Sequence, residues 1–112
     1  MKSKYGNTKI QYKGKVYDSK RELGRLQQLE LLERAGKITD LQQQVKFELL
    51  PPYRDPVTGK VLERAVSYFA DFTYYNSKGE YIVEDTKGYK TADYILKRKM
   101  MLHFHGIRIK EI

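Results

Sequence analysis

Residues 66–87 read VSYFADFTYYNSKGEYIVEDTK, and the fold turns on how this stretch alternates. Successive side chains of an extended strand point to opposite faces. A period of two therefore puts Val66, Tyr68, Ala70, Phe72 and Tyr74 on one face and Ser67, Phe69, Asp71, Thr73 and Tyr75 on the other. Aromatic and β-branched residues dominate the segment, as in a sheet strand with little access to water. Asn76-Ser-Lys-Gly79 supplies turn residues, and Tyr81 to Lys87 is predicted to be the returning strand of a hairpin. In that strand Tyr81, Val83, Asp85 and Lys87 share a face, and Ile82, Glu84 and Thr86 share the other.

The alternation also locates the chemistry. Asp71 falls in the middle of a largely apolar strand, where an unpartnered carboxylate is costly to desolvate. Asp85 and Lys87 lie two residues apart, so their side chains emerge side by side, about 6.6 Å apart along the strand. Pairing through the turn would bring Asp71 beside Asp85, giving two carboxylates for one divalent ion and a lysine for a phosphate or an attacking water. Alternation favours Asp85 over Glu84 because only Asp85 shares the face of Lys87, although a bulge would exchange them.

Outward from this hairpin, the pattern changes period. After Gly88, Thr91 can cap a helix that runs to about Phe104 before Gly106, with Ile95, Met100 or Met101, and Phe104 inward and Lys97, Arg98 and Lys99 toward water. Ile107, Ile109 and Ile112 alternate with Arg108 and Lys110 as a last strand. On the N-terminal side, Val45, Phe47 and Leu49 alternate with polar residues in a strand that Pro51-Pro52 stops, and Asp55 to Gly59 is a turn. Before it, a helix from Asp18-Ser19 to Ala35-Gly36 carries Leu23, Leu26, Leu29 and Leu32 as one apolar stripe. Glu22 projects near the centre of that stripe; it completes a Ser-x-x-Glu capping box with Ser19, serves an active site, or does both. Ile10-Gln-Tyr12 and Val16-Tyr17 flank a short hairpin, and residues 1–9 form a flexible basic tail. The fold class is mixed α/β: one domain over residues 10–112, with an αβββαβ core after a short N-terminal β-hairpin.

Composition narrows the function classes. A chain of 112 residues has room for one core. Without cysteine there is no disulfide framework, thiol nucleophile or Cys-ligated zinc site. His103 and His105 fall at a helix end, where capping or surface roles outweigh a metal role. No apolar run is long enough for a membrane span, and the N-terminal stretch lacks the apolar segment of a secretory signal. The net charge of +8 is uneven: +5 over residues 1–20, +4 over residues 88–112 and −1 between them. Basic flanks around a near-neutral, carboxylate-bearing middle suit a nucleic-acid backbone held beside a metal site. At the start of the last helix, Lys90, Tyr94 and Lys97 are candidates to meet that backbone, or else form an ordinary solvated face. Most of the ten tyrosines read as strand residues, with one or two available to stack on bases.

Asp71, then Asp85-Thr86-Lys87 on the next strand, preceded by a helix bearing Glu22, resembles the PD-(D/E)xK nuclease superfamily with its αβββαβ, restriction-endonuclease-like core. Asp18-Ser-Lys-Arg-Glu22, Tyr68-Phe-Ala-Asp71-Phe72 and Val83-Glu-Asp-Thr-Lys-Gly88 suggest a small phage and prophage family grouped there. The resemblance implies that Asp71 and Asp85 bind Mg²⁺ or Mn²⁺, that Lys87 positions water or stabilises charge on the phosphate, and that Glu22 assists the metal or its water. Ala70 stands where the motif name has proline. Oxygen ligands without His or Cys favour Mg²⁺ or Mn²⁺ over zinc. The resulting expectation is a metal-dependent endonuclease acting on double-stranded or branched DNA in phage replication or recombination, in the cytoplasm of a bacterial host, without a membrane partner. Junction cutting needs two active sites, which makes a homodimer the expected state. The competing readings are a non-catalytic DNA-binding or packaging protein on the same fold, and an assembly protein whose acids stabilise the core.

Overall fold

Both helices begin where a hydroxyl replaces the missing turn of hydrogen bonds. In the computed structural model, which describes residues 10–17 and 19–112, α1 spans Lys20–Arg34 and α2 spans Ala92–His105. Ser19 Oγ accepts from the Glu22 amide at 3.3 Å, and Thr91 Oγ1 accepts from the Tyr94 amide at 3.1 Å. Each oxygen satisfies one of the amides that a helix start leaves unpaired. Both helices end on a left-handed glycine. At Gly36 (φ +76°) the amides of Gly36 and Lys37 return to Glu33 and Leu32, and at Gly106 (φ +66°) the amide of Ile107 returns to Met101.

The strands are β1 (Ile10–Tyr12), β2 (Lys15–Tyr17), β3 (Thr39–Leu50), β4 (Tyr53–Arg54), β5 (Val61–Glu63), β6 (Val66–Tyr75), β7 (Tyr81–Asp85) and β8 (Lys110–Glu111). β3, β6, β7 and β8 form a mostly antiparallel four-stranded sheet in that order, with β8 parallel to β7. With α1 before β3 and α2 between β7 and β8, the main elements follow the order αβββαβ. β1 and β2 pair antiparallel across Lys13-Gly14, both at positive φ, as a two-residue hairpin turn requires. The expected tail at 1–9, and Asp18, lie outside the described residues.

The chain divides into two compact units. One comprises the residues up to Leu41 together with Tyr74–Tyr81; the other comprises Gln42–Thr73 and Ile82–Ile112. In the first unit, Leu26 and Leu29 are buried while Leu32 is exposed, so the inward stripe of α1 is narrower than its leucine spacing suggests. In the second, Leu49, Tyr68, Ala70, Val83, Tyr94, Met101 and Ile109 make one core, with Phe47, Val66, Ile95, Met100 and Ile107 packed against it. Removing each large apolar side chain from water contributes roughly 1.5–3 kcal/mol.

The sequence expectations need four corrections. β3 is 12 residues long, extending the expected alternation back to Thr39. The stretch expected as a turn at Asp55 to Gly59 is the tip of a hairpin, β4–β5, in which Asp55 Oδ1 accepts from the amides of Val57 and Thr58. Phe104, expected inward, is exposed, because the αL stop at Gly106 follows at once and Met101 takes the core position. β7 ends at Asp85, two residues before the expected limit at Lys87, and β8 pairs only through Lys110 and Glu111.

Candidate active site

The candidate site lies wholly in the second unit, where β7 ends. Its position follows from local structure: Val83, Glu84 and Asp85 are all buried, and the chain leaves the strand immediately afterwards. The amide of Thr86 is thereby available to a side chain. It donates to Asp71 Oδ2 at 2.8 Å, and the Thr86 hydroxyl donates to the same oxygen at 2.8 Å. Asp71 Oδ1 receives Gln44 Nε2 at 3.3 Å. The carboxylate of β6 is thus oriented by the residue between the acid and the lysine of Asp85-Thr86-Lys87.

Asp85 is 1% exposed. The Tyr68 hydroxyl donates to its Oδ2 at 2.6 Å, while its Oδ1 is buried with no hydrogen-bond partner. Lys87 Nζ is 3.6 Å from Oδ1, an ion pair too long to be a hydrogen bond. Burial is the main cause that lifts the Asp85 carboxyl to a pKa of about 7. The Asp71 carboxylate, within hydrogen-bonding range, adds to it, and the Tyr68 hydroxyl and Lys87 oppose it. A carboxyl with a pKa of about 7 is about half protonated at neutrality. Burial and the bond to Asp85 keep the Tyr68 hydroxyl protonated far above its ordinary range, which fixes it as a donor.

A second layer holds the lysine. Lys87 Nζ lies 4.9 Å from the centroid of the Tyr94 ring, a cation–π contact. The Tyr94 hydroxyl donates to Glu111 Oε2 at 2.7 Å, and Arg98 pairs with the same oxygen at 3.1 Å. Lys90 reaches Glu111 Oε1 at 3.8 Å. The hydrogen bond from Tyr94 holds the Glu111 carboxyl below its usual value, with Arg98 and Lys90 adding to the effect against some desolvation.

The structure thus brings Asp71, Asp85 and Lys87 together. Glu84, the alternative to Asp85, is fully buried and has Lys110 Nζ at 4.0 Å, its register partner on β8. Glu22 sits half-buried in the first turn of α1, within the N-terminal unit. Among the described residues, no group of three or more His, Asp or Glu side chains gathers as a metal-binding cluster. Tyr94, expected at a phosphate, has its ring in the core and its hydroxyl on Glu111, so it supports Lys87 and offers no face for a base. Lys90 is half-exposed, and Lys97 pairs with Asp93 at 3.5 Å one turn away. His105 contacts the Glu48 carbonyl at 2.8 Å and packs edge-on against Phe47.

Sequence reasoning missed Tyr68, Thr86, Gln44 and Glu111. Alternation separates Tyr68 from Asp71 by face, which hides that its hydroxyl meets Asp85 on the neighbouring strand. Thr86 had a readable signal, since a hydroxyl between an acid and a lysine at a strand end suits a local hydrogen bond.

A mixed α+β fold whose sheet carries two facing carboxylates and a lysine at the end of one strand defines a protein with a buried acidic centre. The chain belongs to the family described as Protein of unknown function (DUF1064), which it matches over residues 2–112. No curated protein and no solved structure matches it. Among the described residues, no helix is long and apolar enough to cross a membrane.

Proposed function

We propose that this protein is a metal-dependent DNA endonuclease of the PD-(D/E)xK type, with Asp71 and Asp85 holding Mg²⁺ or Mn²⁺ and Lys87 serving the phosphate. The observation that carries this reading is Asp85 Oδ1: a buried carboxylate oxygen without a hydrogen bond, beside a second carboxylate and a lysine. Buried oxygens are seldom left so, because the desolvation cost of an unmade bond is about 1–3 kcal/mol. The donor set suits a hard divalent cation, being carboxylate oxygen with no cysteine in the chain and neither histidine among the site's contacts.

A bound divalent ion lowers the pKa of water and offsets charge on a phosphate. The remaining work falls to the chain's own residues. Thr86 and Gln44 orient Asp71, and Tyr68 orients Asp85. Lys87, one-third exposed and braced on the Tyr94 ring, can reach a phosphate oxygen from the same side as the acids. Lys90 and Lys97 extend positive charge along the start of α2, where a DNA backbone would lie. Branched or junction DNA, a phage replication or recombination role, a bacterial cytoplasmic setting and a homodimer belong to this reading through the resemblance of the motifs.

A second reading has one observation in its favour. Asp71, a partly protonated Asp85 and Lys87 can satisfy one another without any ion, as in a binding or packaging protein with a structural acid pair. Incubation with supercoiled, linear and four-way-junction DNA in Mg²⁺, Mn²⁺ or EDTA separates the two. The nuclease reading expects metal-dependent cutting that disappears in Asp71→Ala and Lys87→Ala, and in Asp85→Asn but not Glu84→Gln. DNA binding retained by those variants, with no cutting by any form, supports the second reading.

A further inference from the structure

We propose that Phe69 and Lys46 form a nucleotide-binding step beside the acid centre, in which the Phe69 ring stacks on an unpaired base next to the phosphate being cut. The substrate class is then DNA that is single-stranded or frayed at that point. This rests on the nuclease reading above. Phe69 is 53% exposed, although its neighbours Tyr68 and Ala70 in β6 are buried. It shares a strand face with Asp71, two residues on, so the two side chains emerge about 6.6 Å apart. β7 stops at Asp85, and Thr86, which follows it, already meets Asp71. In an antiparallel hairpin Phe69 therefore lies beyond the end of β7, on a stretch of β6 that this strand leaves open.

The other edge of β6 supplies a cation. Gln44 of β3 reaches Asp71, and three residues further along β3 Phe47 stacks on Tyr68, three residues back along β6, with ring centroids 6.4 Å apart. Both contacts fit one antiparallel register of the neighbouring strands, and it sets Lys46 opposite Phe69. Directly opposed residues have Cβ atoms about 4.5–5.5 Å apart. Lys46 is exposed as well. Single exposed apolar residues are ordinary on a protein surface. Phe69 differs in its place, one strand step from the acids with an ammonium alongside. That step is about the reach from the phosphate of a nucleotide to its own base. Aromatic rings take any base by its π face, and lysines take the backbone. Inside a duplex the base faces are covered by their neighbours, so only an unpaired base can lie on the ring. The next exposed residue on this face of β3 is Glu48, which repels a phosphate, so the step holds one nucleotide.

Anisotropy titrations of the full chain with labelled oligothymidylate and with a blunt duplex of the same length, in EDTA to prevent cutting, test this. Wild type should bind the single strand more tightly. Phe69→Leu should weaken single-strand binding by about tenfold and leave duplex binding unchanged, the loss being that of one base–aromatic stack. Lys46→Gln should lower the slope of log affinity against log salt by about 0.7, the value of one phosphate contact on a single strand. The chain has no tryptophan, so Phe69→Trp installs a single fluorophore at the ring. It should bind as wild type does and be quenched by oligothymidylate, and it carries the test should Phe69→Leu fail to fold by circular dichroism. No preference for the single strand, equal single-strand binding by Phe69→Leu and wild type, or an unquenched tryptophan overturns the inference. Metal-dependent cutting by the same wild-type protein then leaves the nuclease reading standing. A wild type that neither binds DNA nor cuts it in Mg²⁺ or Mn²⁺ overturns both.

Discussion

The same three groups, a tyrosine hydroxyl, a lysine and a carboxylate, meet twice among the described residues. In the N-terminal unit, Tyr12 donates to Glu30 Oε1 at 2.9 Å and Lys13 to Glu30 Oε2 at 3.0 Å, so each carboxylate oxygen has its own donor. In the C-terminal unit, Tyr68 donates to Asp85 Oδ2, Lys87 stays 3.6 Å from Oδ1, and a second acid, Asp71, presses on the first. Glu30 retains 20% side-chain exposure and Asp85 2%. Desolvation raises both carboxyls, but at Glu30 the hydrogen bonds from Lys13 and Tyr12 prevail and hold the group below its ordinary value. At Asp85 burial prevails. Identical chemistry thus yields a finished structural contact where water helps and an unfinished one where water is excluded, and the unfinished one is where a cation has something to gain.

The sharpest way to break this contrast is Asp85→Asn. The amide can accept from Tyr68 and donate to Asp71, imitating the protonated acid but unable to bind a cation as a carboxylate. Cutting should fall by about a hundredfold or more. Stability should move the other way. Because folding raises the Asp85 pKa from 3.8 to about 7, protonation stabilises the fold. That contribution is full below about pH 4 and is lost as pH rises through about 7. Denaturant titrations at pH 5 and pH 8 should show wild type losing up to about 2.6 kcal/mol on going to alkaline pH, and Asp85→Asn losing much less. A wild-type curve that stays flat across this range would refute the account of the acid pair.

Metal addition comes next in size. At pH 8 the deprotonated pair repels itself, so Mg²⁺ or Mn²⁺ at a hundred times its dissociation constant should stabilise wild type by about 2.7 kcal/mol. EDTA should reverse the gain, and Asp85→Asn should show none. Thr86→Val is smaller again. It removes the hydroxyl donor from Asp71 Oδ2 and keeps the amide, so denaturation should report a loss of about 1–2 kcal/mol. Equal stability of Thr86→Val and wild type would mean that the amide alone holds Asp71.

What the sequence revealed and what it hid follow from the range of the forces involved. Helix caps at Ser19 and Thr91, the stops at Gly36 and Gly106, and the β6–β7 turn are local, and each is set by residues within about four positions of one another. Asp85 and Lys87 were legible as neighbours only by their closeness in sequence, because the strand alternation that put them on one face stops at Asp85. The β4–β5 hairpin was half-legible: Asp55 to Gly59 reads as a turn, but the pairing of Tyr53 with Glu63 does not show in so short a segment. Tyr68 could not be read, because its partner is 17 residues away and the contact depends on how two strands are registered. Tyr94 misled for a related reason. Aromatic residues beside lysines suit a binding face, but only tertiary packing shows that this ring is buried beneath Lys87.

Glu30→Gln should give the smallest effect and tests the comparison from its other side. The substitution keeps an acceptor for Tyr12 or Lys13 but not the charge, and an exposed ion pair contributes little. A fall in Tm of no more than a few degrees is expected at pH 7, with DNA cutting and Mg²⁺ binding unchanged. The pH dependence carries the sign. Folding lowers the Glu30 pKa, so its contribution is present above about 4.5 and is lost as pH falls through the folded value. Wild type and Glu30→Gln should therefore converge in acid, with the variant the less stable of the two at neutral pH. Wild type and Asp85→Asn should also converge in acid, but there the variant is the more stable at alkaline pH. Two substitutions of acid by amide with opposite signs would show that burial and hydrogen-bond supply, and not the mere presence of a lysine and a tyrosine, decide which carboxylate remains open to a cation.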